Sequence, residues 1–206
     1  MRCAAMSSLK LMAYDIPDVL QSDKQGMYDL LIEKAANNQQ QRWDYTIAPP
    51  ARVDEMFNQN VVDCIIPYDK SFHLNKQTIN TLPLFVATAR IYSRHQVIQQ
   101  LQDLKGLSVG ARKGMLYGPE FDQLNLNVNY VTRIGQNIDK LVSDRIDAFV
   151  AWSPDAEAAM QKKEVAFYRS EPFVAHNDAF LCHDTPKARA FVEQFNQGLK
   201  NITEKN

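Results

Sequence analysis

The sequence predicts an α/β protein of two lobes, each a mostly parallel sheet flanked by helices. Segments typical of strands and of helices alternate along the 206 residues, which is the pattern of parallel sheets covered by helices. The alternation falls into two series of similar length, separated by the apolar run at residues 82–92 (LPLFVATARIY). Extended residues rise about 3.3 Å each, so this run would reach about 36 Å, which is long enough to pass from one lobe to the other.

The first series begins with residues 9–14 (LKLMAY), which are predicted to form a strand. Residues 27–36 place apolar side chains at helical spacing, and residues 43–48 alternate as a strand does. A short helix over residues 53–59 then precedes a buried strand over residues 61–66 (VVDCII), which is rich in β-branched side chains. The order is therefore strand, helix, strand, helix, strand.

The second series repeats this order after residue 92. Its predicted elements are, in chain order, a helix at 97–101, a strand at 107–111, a short helix opening near Tyr117 or Pro119, a strand at 128–133, a helix at 137–143, a strand at 146–152, a helix at 154–162 and strands at 164–168 and 179–182. An amphipathic helix over residues 185–200 closes the chain, with Thr185 as its N-cap and Pro186 at its first position.

Composition and charge exclude several classes of protein. The 23 basic and 24 acidic residues give a net charge of −1 with no basic block, so a nucleic-acid partner is not expected. No apolar run approaches the roughly 18 to 20 residues that a membrane-spanning helix needs. The N-terminus lacks the apolar segment of an export signal, so the protein is either cytoplasmic or given without its signal.

Cysteine usage predicts neither a metal site nor a dense disulfide framework. Cys3, Cys64 and Cys182 are an odd number at wide spacing, which fits no zinc pattern. They are predicted to be small, buried apolar residues. No metal and no cofactor is expected.

Candidate ligand contacts follow the predicted strands, because open α/β sheets bind ligands beyond the carboxyl ends of their strands. Tyr14 and Asp15 follow the first strand, Tyr68 and Asp69 follow the third, and Trp152 closes a strand of the second series. Aromatic rings at such positions can stack on a planar or cationic ligand. The alternative is that these rings belong to the lobe cores or surfaces.

Residues 108–121 (SVGARKGMLYGPEF) read as a strand, a turn through glycine and a helix. Unpaired N–H groups at a helix N-terminus attract an anionic or carbonyl group, and a nearby lysine would add positive charge. The candidate contacts here are Lys113, Gly114, Met115, Leu116 and Tyr117. Alternatively, the glycine serves only a tight bend. Neither nucleotide-binding glycine pattern is present.

Two arginines complete the candidate site. Arg90 lies within an apolar strand, where an unpaired charge would be costly, so a carboxylate or a ligand is expected beside it. Arg133 ends a predicted strand and has the same two explanations.

Four segments carry a resemblance to a known family. They are DLKGLSVGARKGMLYGPEF at residues 103–121, NIDKLVSDRIDAFVAW at 137–152, YDLLIEKAA followed by RWDYTIAPPARVDEMFNQNVVDCII at 28–66, and LPLFVATARIYSR at 82–94. In order and spacing they resemble the bacterial extracytoplasmic solute-binding proteins of family 3, the amino-acid-binding type of ABC importers.

The resemblance implies a two-lobed type II periplasmic-binding-protein clamshell with two crossing strands as its hinge. Residues 1–85 and 179–206 would form a discontinuous first lobe, and residues 86–178 the second. It further implies a periplasmic, monomeric protein, its signal removed, that captures a small polar or anionic solute in the cleft between the lobes. Such a protein delivers the solute to an ABC permease and performs no catalysis.

The sequence departs from the family where a standard amino acid would be held. It has no arginine between Asp63 and Pro83, where the family carries the carboxylate clamp. Trp152 and Ser153 stand where an aspartate normally takes the ammonium, and Met115 and Leu116 replace small hydroxyl residues. A standard α-amino acid is therefore not the expected ligand.

Two other functions fit the same fold. A ligand-sensing clamshell that signals to a membrane receptor, such as a receptor kinase, would explain the missing amino-acid contacts. A dehydratase-like enzyme would need a positioned acid or base, for which the candidates are Asp15, Asp69, Glu171 and His176.

Overall fold

The computed structural model describes residues 8–73 and 77–203. The strands are β1 Leu11–Tyr14, β2 Tyr45–Ala48, β3 Cys64–Tyr68, β4 Thr78–Asn80, β5 Phe85–Ser93, β6 Val109–Arg112, β7 Val128–Val131, β8 Ala148–Ser153, β9 Tyr168–Arg169 and β10 Val174–His183. The helices are α1 Met27–Asn38, α2 Pro50–Asn58, α3 Pro119–Asp122, α4 Ile134–Val142, α5 Asp155–Lys162 and α6 Pro186–Thr203, with 3₁₀ turns at Lys70–Phe72 and Leu101–Leu104. Among these helices none is long and apolar enough to cross a membrane.

The chain divides into two compact units. Unit 1 contains the described parts of 1–15, 20–84 and 178–206, and unit 2 contains 16–19 and 85–177. Apart from residues 16–19, the chain leaves unit 1 once, after Leu84, and re-enters it at Asp178. The sequence prediction assigned residues 16–19 to the first lobe, whereas they cluster with unit 2.

Unit 1 is built on a mixed sheet in which β1 lies between β2 and β3, parallel to both. The strand β10 pairs antiparallel with β3 and with β4. Every residue of β1 and β3 is buried, as expected of central strands covered on both faces. The apolar residues 11–14 and 64–66 of the strands predicted at 9–14 and 61–66 lie in β1 and β3, and β3 begins three residues later than predicted and extends to Tyr68.

The close approach of α6 to α1 depends on Gly198. A Cβ atom at this position would overlap the carbonyl oxygen of Ala35 in α1. The predicted capping of α6 is confirmed, because the Thr185 side chain accepts a hydrogen bond from the Ala188 N–H at 3.3 Å. Pro186 opens the helix, where its missing N–H costs no hydrogen bond.

Two of the cysteines form a disulfide, so the prediction that they are only buried apolar residues is wrong. Cys64 in β3 and Cys182 in β10 are direct partners in the antiparallel register, and their sulfurs are bonded. Both residues are fully buried. Cys3 lies outside the described residues. The spacing of 118 residues between the bonded cysteines gave no signal in the sequence, because the strand pairing that joins them is not local.

Unit 2 repeats the plan with a second mixed sheet. Its strand β6 is parallel to β7 and β8, and β5 pairs antiparallel with β8 and β9. One face of this sheet buries a cluster that includes Val109, Tyr117 and Trp152. The other face buries a second cluster, centred on Tyr92 and Phe149, under α4 and α5.

Several predicted elements differ from those observed. The predicted helix at 97–101 is wrong, because only a 3₁₀ turn at Leu101–Leu104 forms there. The predicted strand at 82–92 begins only at Phe85, since Pro83 cannot donate to a ladder. The predicted strand at 164–168 shrinks to the two residues of β9. In contrast, β10 is longer than predicted, because its first half alternates with exposed residues and has no apolar run.

Three helices begin elsewhere than predicted. The helix predicted at 137–143 begins three residues earlier, at Ile134. The helix predicted at 53–59 begins at Pro50, where proline is favourable at the first helical position. The helix predicted with Ser153 as its N-cap has Pro154 at the cap position and begins at Asp155.

Candidate functional site

In unit 1, the candidate residues lie at the carboxyl ends of two neighbouring parallel strands. Tyr14 is the last residue of β1 and Tyr68 the last of β3, and both are over nine-tenths buried. Asp15 is exposed, and its N–H donates to the Ala48 carbonyl at 2.8 Å, beside the end of β2. The two phenols therefore mark one edge of the sheet.

Asp69 has a local structural role. Its carboxylate accepts hydrogen bonds from the N–H and the hydroxyl of Ser71, at 2.8 and 2.7 Å. These bonds cap the 3₁₀ turn at Lys70–Phe72. Asp69 is thus oriented by the turn that follows β3.

Asp54 belongs with the two phenols, and sequence reasoning missed it. The Tyr14 hydroxyl donates to Asp54 Oδ1 at 2.5 Å. Burial raises the pKa of Tyr14 well above its usual value, and the Asp54 carboxylate raises it further. Burial and the same carboxylate raise the pKa of Tyr68 to about 12. The sequence gave no signal for Asp54, which lies on the half-buried side of α2, 40 residues from Tyr14.

A second phenol–carboxylate pair lies in the same unit. The fully buried Tyr28 of α1 donates its hydroxyl to Asp178 Oδ2 in β10 at 2.5 Å. The carboxylate of Asp178 also acts on Tyr14, where it contributes to the raised pKa. Unit 1 therefore brings together a cluster of three tyrosines and two aspartates: Tyr14, Tyr28, Tyr68, Asp54 and Asp178.

In unit 2, the loop after β6 is fixed by core aromatic residues. The Tyr117 hydroxyl accepts a hydrogen bond from the Arg112 N–H at 3.1 Å, and the Trp152 indole N–H donates to the Leu116 carbonyl at 3.1 Å. The rings of Tyr117 and Trp152 stack with their centroids 6.3 Å apart. Met115 packs against the same cluster. Tyr117 and Trp152 therefore fix the conformation of this loop.

Gly114 has a conformational reason to be glycine. Its φ is +82°, a left-handed conformation that residues with a Cβ rarely adopt. Lys113 is exposed, and its N–H donates to the Val131 carbonyl at 2.8 Å. The helix α3 is confirmed at Pro119, but its four residues align too few peptide dipoles for the N-terminal charge expected of a longer helix.

The two predicted arginines, Arg90 and Arg133, form hydrogen bonds with other parts of the chain than the loop after β6. Arg90 is half-buried in β5, and its Nη1 donates to the Ser170 carbonyl at 2.8 Å. Arg133 is exposed at the N-cap of α4, where its N–H donates to Gln136 Oε1 at 3.0 Å.

Unit 2 contains a buried ionic group that the sequence did not single out as a site. Arg112 is 5% exposed, and its Nε donates to the Thr132 carbonyl at 3.3 Å. Asp155, the first residue of α5, is 6% exposed. Burial raises the pKa of Asp155 to about 7, and the Arg112 charge acts in the opposite direction. The sequence signal was available in part, because Asp155 follows the strand β8 closely.

The described residues offer no set of three metal-binding side chains close enough to share an ion. The chemistry available at the strand ends is hydrogen bonding by phenols and carboxylates in unit 1. In unit 2 it comes from the cations Arg112 and Lys113, of which Lys113 is exposed, and from the carboxyl group of Asp155.

The fold is shared with solved binding domains. The GluR0 ligand-binding core from Nostoc punctiforme, in complex with L-glutamate, has a TM-score of 0.81 and 18% identity over 96% of this chain and 94% of its own. A histidine kinase sensor domain with similarity to periplasmic binding proteins has a TM-score of 0.80 and 12% identity, covering 96% and 91%. The substrate-binding protein of an amino acid ABC transporter has a TM-score of 0.75 and 14% identity, covering 96% and 94%.

No family model matches the sequence, and no curated protein matches it. The likeness of the structures extends over nearly the entire chain, at identities that establish the fold alone. The predicted fold class is confirmed: this chain has the two-lobed type II periplasmic-binding-protein fold.

Proposed function

We propose that this protein is an extracytoplasmic solute-binding protein that captures a small polar solute and delivers it to an ABC permease. The observation that carries the proposal is the fold, combined with hydrogen-bonding side chains at the carboxyl ends of β1 and β3. Parallel sheets bind ligands at this edge. Among the candidate contacts, Tyr14 and Tyr68 offer phenol groups, and Lys113 and Arg133 offer exposed cations.

The disulfide supports a location outside the cytoplasm. Disulfides persist in oxidising compartments and are rare in the cytosol. Cys64 and Cys182 are paired across β3 and β10 in the interior of unit 1. The proposed compartment is therefore the periplasm.

The proposed role involves no catalysis. The solved relatives in fold are binding domains by their descriptions. Of the acid–base candidates, Asp69 is engaged in capping a turn, Glu171 is exposed, and His176 packs its ring edge against Trp152 at 5.1 Å. These positions fit local structure and binding better than proton transfer.

A ligand screen tests the proposal. The purified protein is scanned by thermal shift against amines, amino acids, organic acids and aromatic compounds, and the hits are measured by calorimetry with product analysis. A ligand at a hundred times its dissociation constant should stabilise the fold by about 2.7 kcal/mol. Failure of all four classes to shift the unfolding transition would reject the proposal, as would turnover of a bound compound.

Signalling to a membrane receptor is the second candidate, favoured by the likeness to a histidine kinase sensor domain. Cross-linking the liganded protein to native membranes distinguishes the two partners. Recovery of a permease supports delivery, and recovery of a receptor kinase supports sensing.

A further inference from the structure

Unit 1 contains a cavity that none of the candidate solute contacts lines. Its volume is about 560 Å³, which is within the range of pockets that hold small molecules. Residues 9–12, the end of β2 with the residue that follows it, the helix α2 and the turn after that helix form its walls. Open space is therefore present at a second place in this unit.

The cavity lies where the sheet extends past α2. Tyr14 of β1 points towards α2, because its hydroxyl donates to Asp54 of that helix at 2.5 Å. Met12, two residues earlier in the strand, faces the same side of the sheet. In the parallel register Met12 pairs with Thr46 of β2, so Thr46 shares this face. The helix α2 packs against β1 and β3, and Thr46 is exposed.

The wall of the cavity is largely apolar. Met12 and Val62 are over nine-tenths buried, Met56 of α2 is half-buried, and Val61 is 40% exposed. The N–H of Val61 donates to the Met56 carbonyl at 2.9 Å, which fixes the valine at the end of the helix. An apolar group that covers this partly exposed surface would gain free energy by removing it from water.

Two cations stand at the rim of the cavity. Lys10 directly precedes β1, Arg52 lies in the first turn of α2, and both are exposed and belong to the lining. Within residues 8–73 and 77–203, no carboxylate pairs with the side chain of either one. Both charges are therefore available to a ligand.

The acids beside these cations have other partners. Asp44, the acidic residue of the lining, pairs with Arg42 at 3.0 Å. Asp63 accepts a hydrogen bond from the backbone N–H of Lys10 at 2.7 Å, and its carboxylate pairs with Lys187 at 2.8 Å. The rim is thus complementary to an anion.

We propose that this cavity binds a small amphiphilic carboxylate, with its apolar chain over Met56 and Val61 and its carboxylate at the rim with Arg52 and Lys10. A guanidinium group binds a carboxylate through two parallel hydrogen bonds, and a flexible lysine adds a second positive charge. The inference goes beyond the proposed function, because this site shares no residue with the candidate solute contacts.

Probes that share an alkyl chain and differ in the head group test this directly. Calorimetry with the full chain should show octanoate binding at least about tenfold more tightly than octylamine, because the rim attracts one head group and repels the other. Octanoate should also bind about three- to tenfold more tightly than hexanoate, which leaves part of the apolar wall uncovered.

Two variants locate the binding. Arg52→Gln removes the charge at similar length and should weaken octanoate binding by about three- to tenfold. Val61→Asp places a negative charge on the apolar wall and should weaken it by about tenfold or more. The matched control is Lys34→Gln, an exposed lysine of α1 outside the cavity lining, which should leave the affinity unchanged. If Val61→Asp does not fold, the comparison of Arg52→Gln with Lys34→Gln decides.

Several results would overturn the inference. Equal affinity for octylamine and octanoate would show that the rim charges do not act on the ligand. Octanoate binding that Arg52→Gln leaves unchanged, and that a solute from the ligand screen displaces, would place octanoate in the solute site, and the proposed function would stand. Sedimentation showing a dimer that Val61→Asp dissociates would assign the apolar wall to a second copy of the chain.

Discussion

Tyr14 of unit 1 and Tyr117 of unit 2 are both buried, and their hydroxyl groups have different polar partners. In unit 1, Tyr14 donates to Asp54, and the charges acting on it are acidic. In unit 2, the Tyr117 hydroxyl accepts from the Arg112 N–H. Burial raises the pKa of Tyr117, this hydrogen bond lowers it, and the charges of Asp155 and Arg112 act on it in opposite directions. Asp155 adds a carboxyl there, so the acid and the base offset each other. Two sheets of similar plan thus carry different polar groups at their carboxyl ends.

The units also differ in how their strands are held. Unit 1 closes β3 onto β10 with a disulfide, whereas the described part of unit 2 relies on two apolar clusters, one on each face of its sheet. The similarity of plan is therefore one of topology. The stabilising interactions and the polarity are specific to each unit, and the four changes below probe them separately.

The largest effect is expected from removing the disulfide. Joining residues 118 apart restricts the unfolded chain, so Cys64→Ala with Cys182→Ala should lower the free energy of unfolding by about 2 to 5 kcal/mol. Urea unfolding, followed by one signal from unit 1 and another from unit 2, measures this loss. Unfolding the wild-type protein with and without a reductant separates the effect of the disulfide from that of the packing lost with the two cysteine side chains. A loss below about 1 kcal/mol would show that unit 1 does not depend on this bond.

The next largest effect is a dependence on pH in unit 2. The pKa of Asp155 is about 7 in the folded protein and 3.8 ordinarily, so the folded state keeps a proton that the unfolded chain loses. The contribution of Asp155 to the free energy of unfolding is complete below about pH 4. It declines by up to about 4 kcal/mol as the pH rises to about 7. Asp155→Asn should abolish this decline in urea unfolding measured across that range.

The control for this titration is Asp139→Asn, an exposed carboxylate of the same unit that pairs with Lys163. This variant should leave the dependence of the free energy of unfolding on pH unchanged. An unchanged slope in Asp155→Asn would mean that the carboxyl of Asp155 is ionised in the folded protein, and the contrast in charge between the units would then weaken.

A smaller loss is expected at the contact of α1 with α6 in unit 1. Gly198→Ala introduces a Cβ against the Ala35 carbonyl, a backbone atom that cannot move alone. Overpacking of this kind should cost about 1 to 3 kcal/mol, measured by thermal or urea unfolding. A neutral result would show that α6 can shift away from α1 freely.

The smallest change is expected at a glycine of unit 2. At Gly135 in α4 the nearest atom to a new Cβ would be Lys163 Cε at 3.7 Å, so there is room. Gly135→Ala should raise the free energy of unfolding by about 0.5 to 1 kcal/mol, since alanine loses less entropy in a helix. Measured beside Gly198→Ala, it serves as the matched control. A loss of stability would contradict the geometry described for α4.

Much of the fold could be predicted because local patterns determine it. The strands β1 and β3 are buried on both faces and read as apolar runs, and α6 has its N-cap, its opening proline and its apolar face in the sequence. The first half of β10 could not be predicted, since it alternates in burial without an apolar run. The turn at Leu101–Leu104 has too few residues to show a period.

The site was predictable only where strand order determines it. Tyr14 and Tyr68 follow directly from the rule that parallel strands end at one edge. Asp54, Asp178 and the disulfide depend on pairing between residues 40 to 150 positions apart. Such pairings are set by tertiary structure, and one sequence contains no local signal for them.

The bond between Cys64 and Cys182 also makes the polypeptide a covalent ring with two tails. Residues 85–177, which include nearly all of unit 2, lie inside this ring. A single proteolytic cut within that stretch would leave both fragments linked, and they would migrate as one species on a gel until a reductant is added. Most of unit 2 is thus an insertion in the sequence of unit 1, and the disulfide joins the two segments of unit 1 on either side of that insertion.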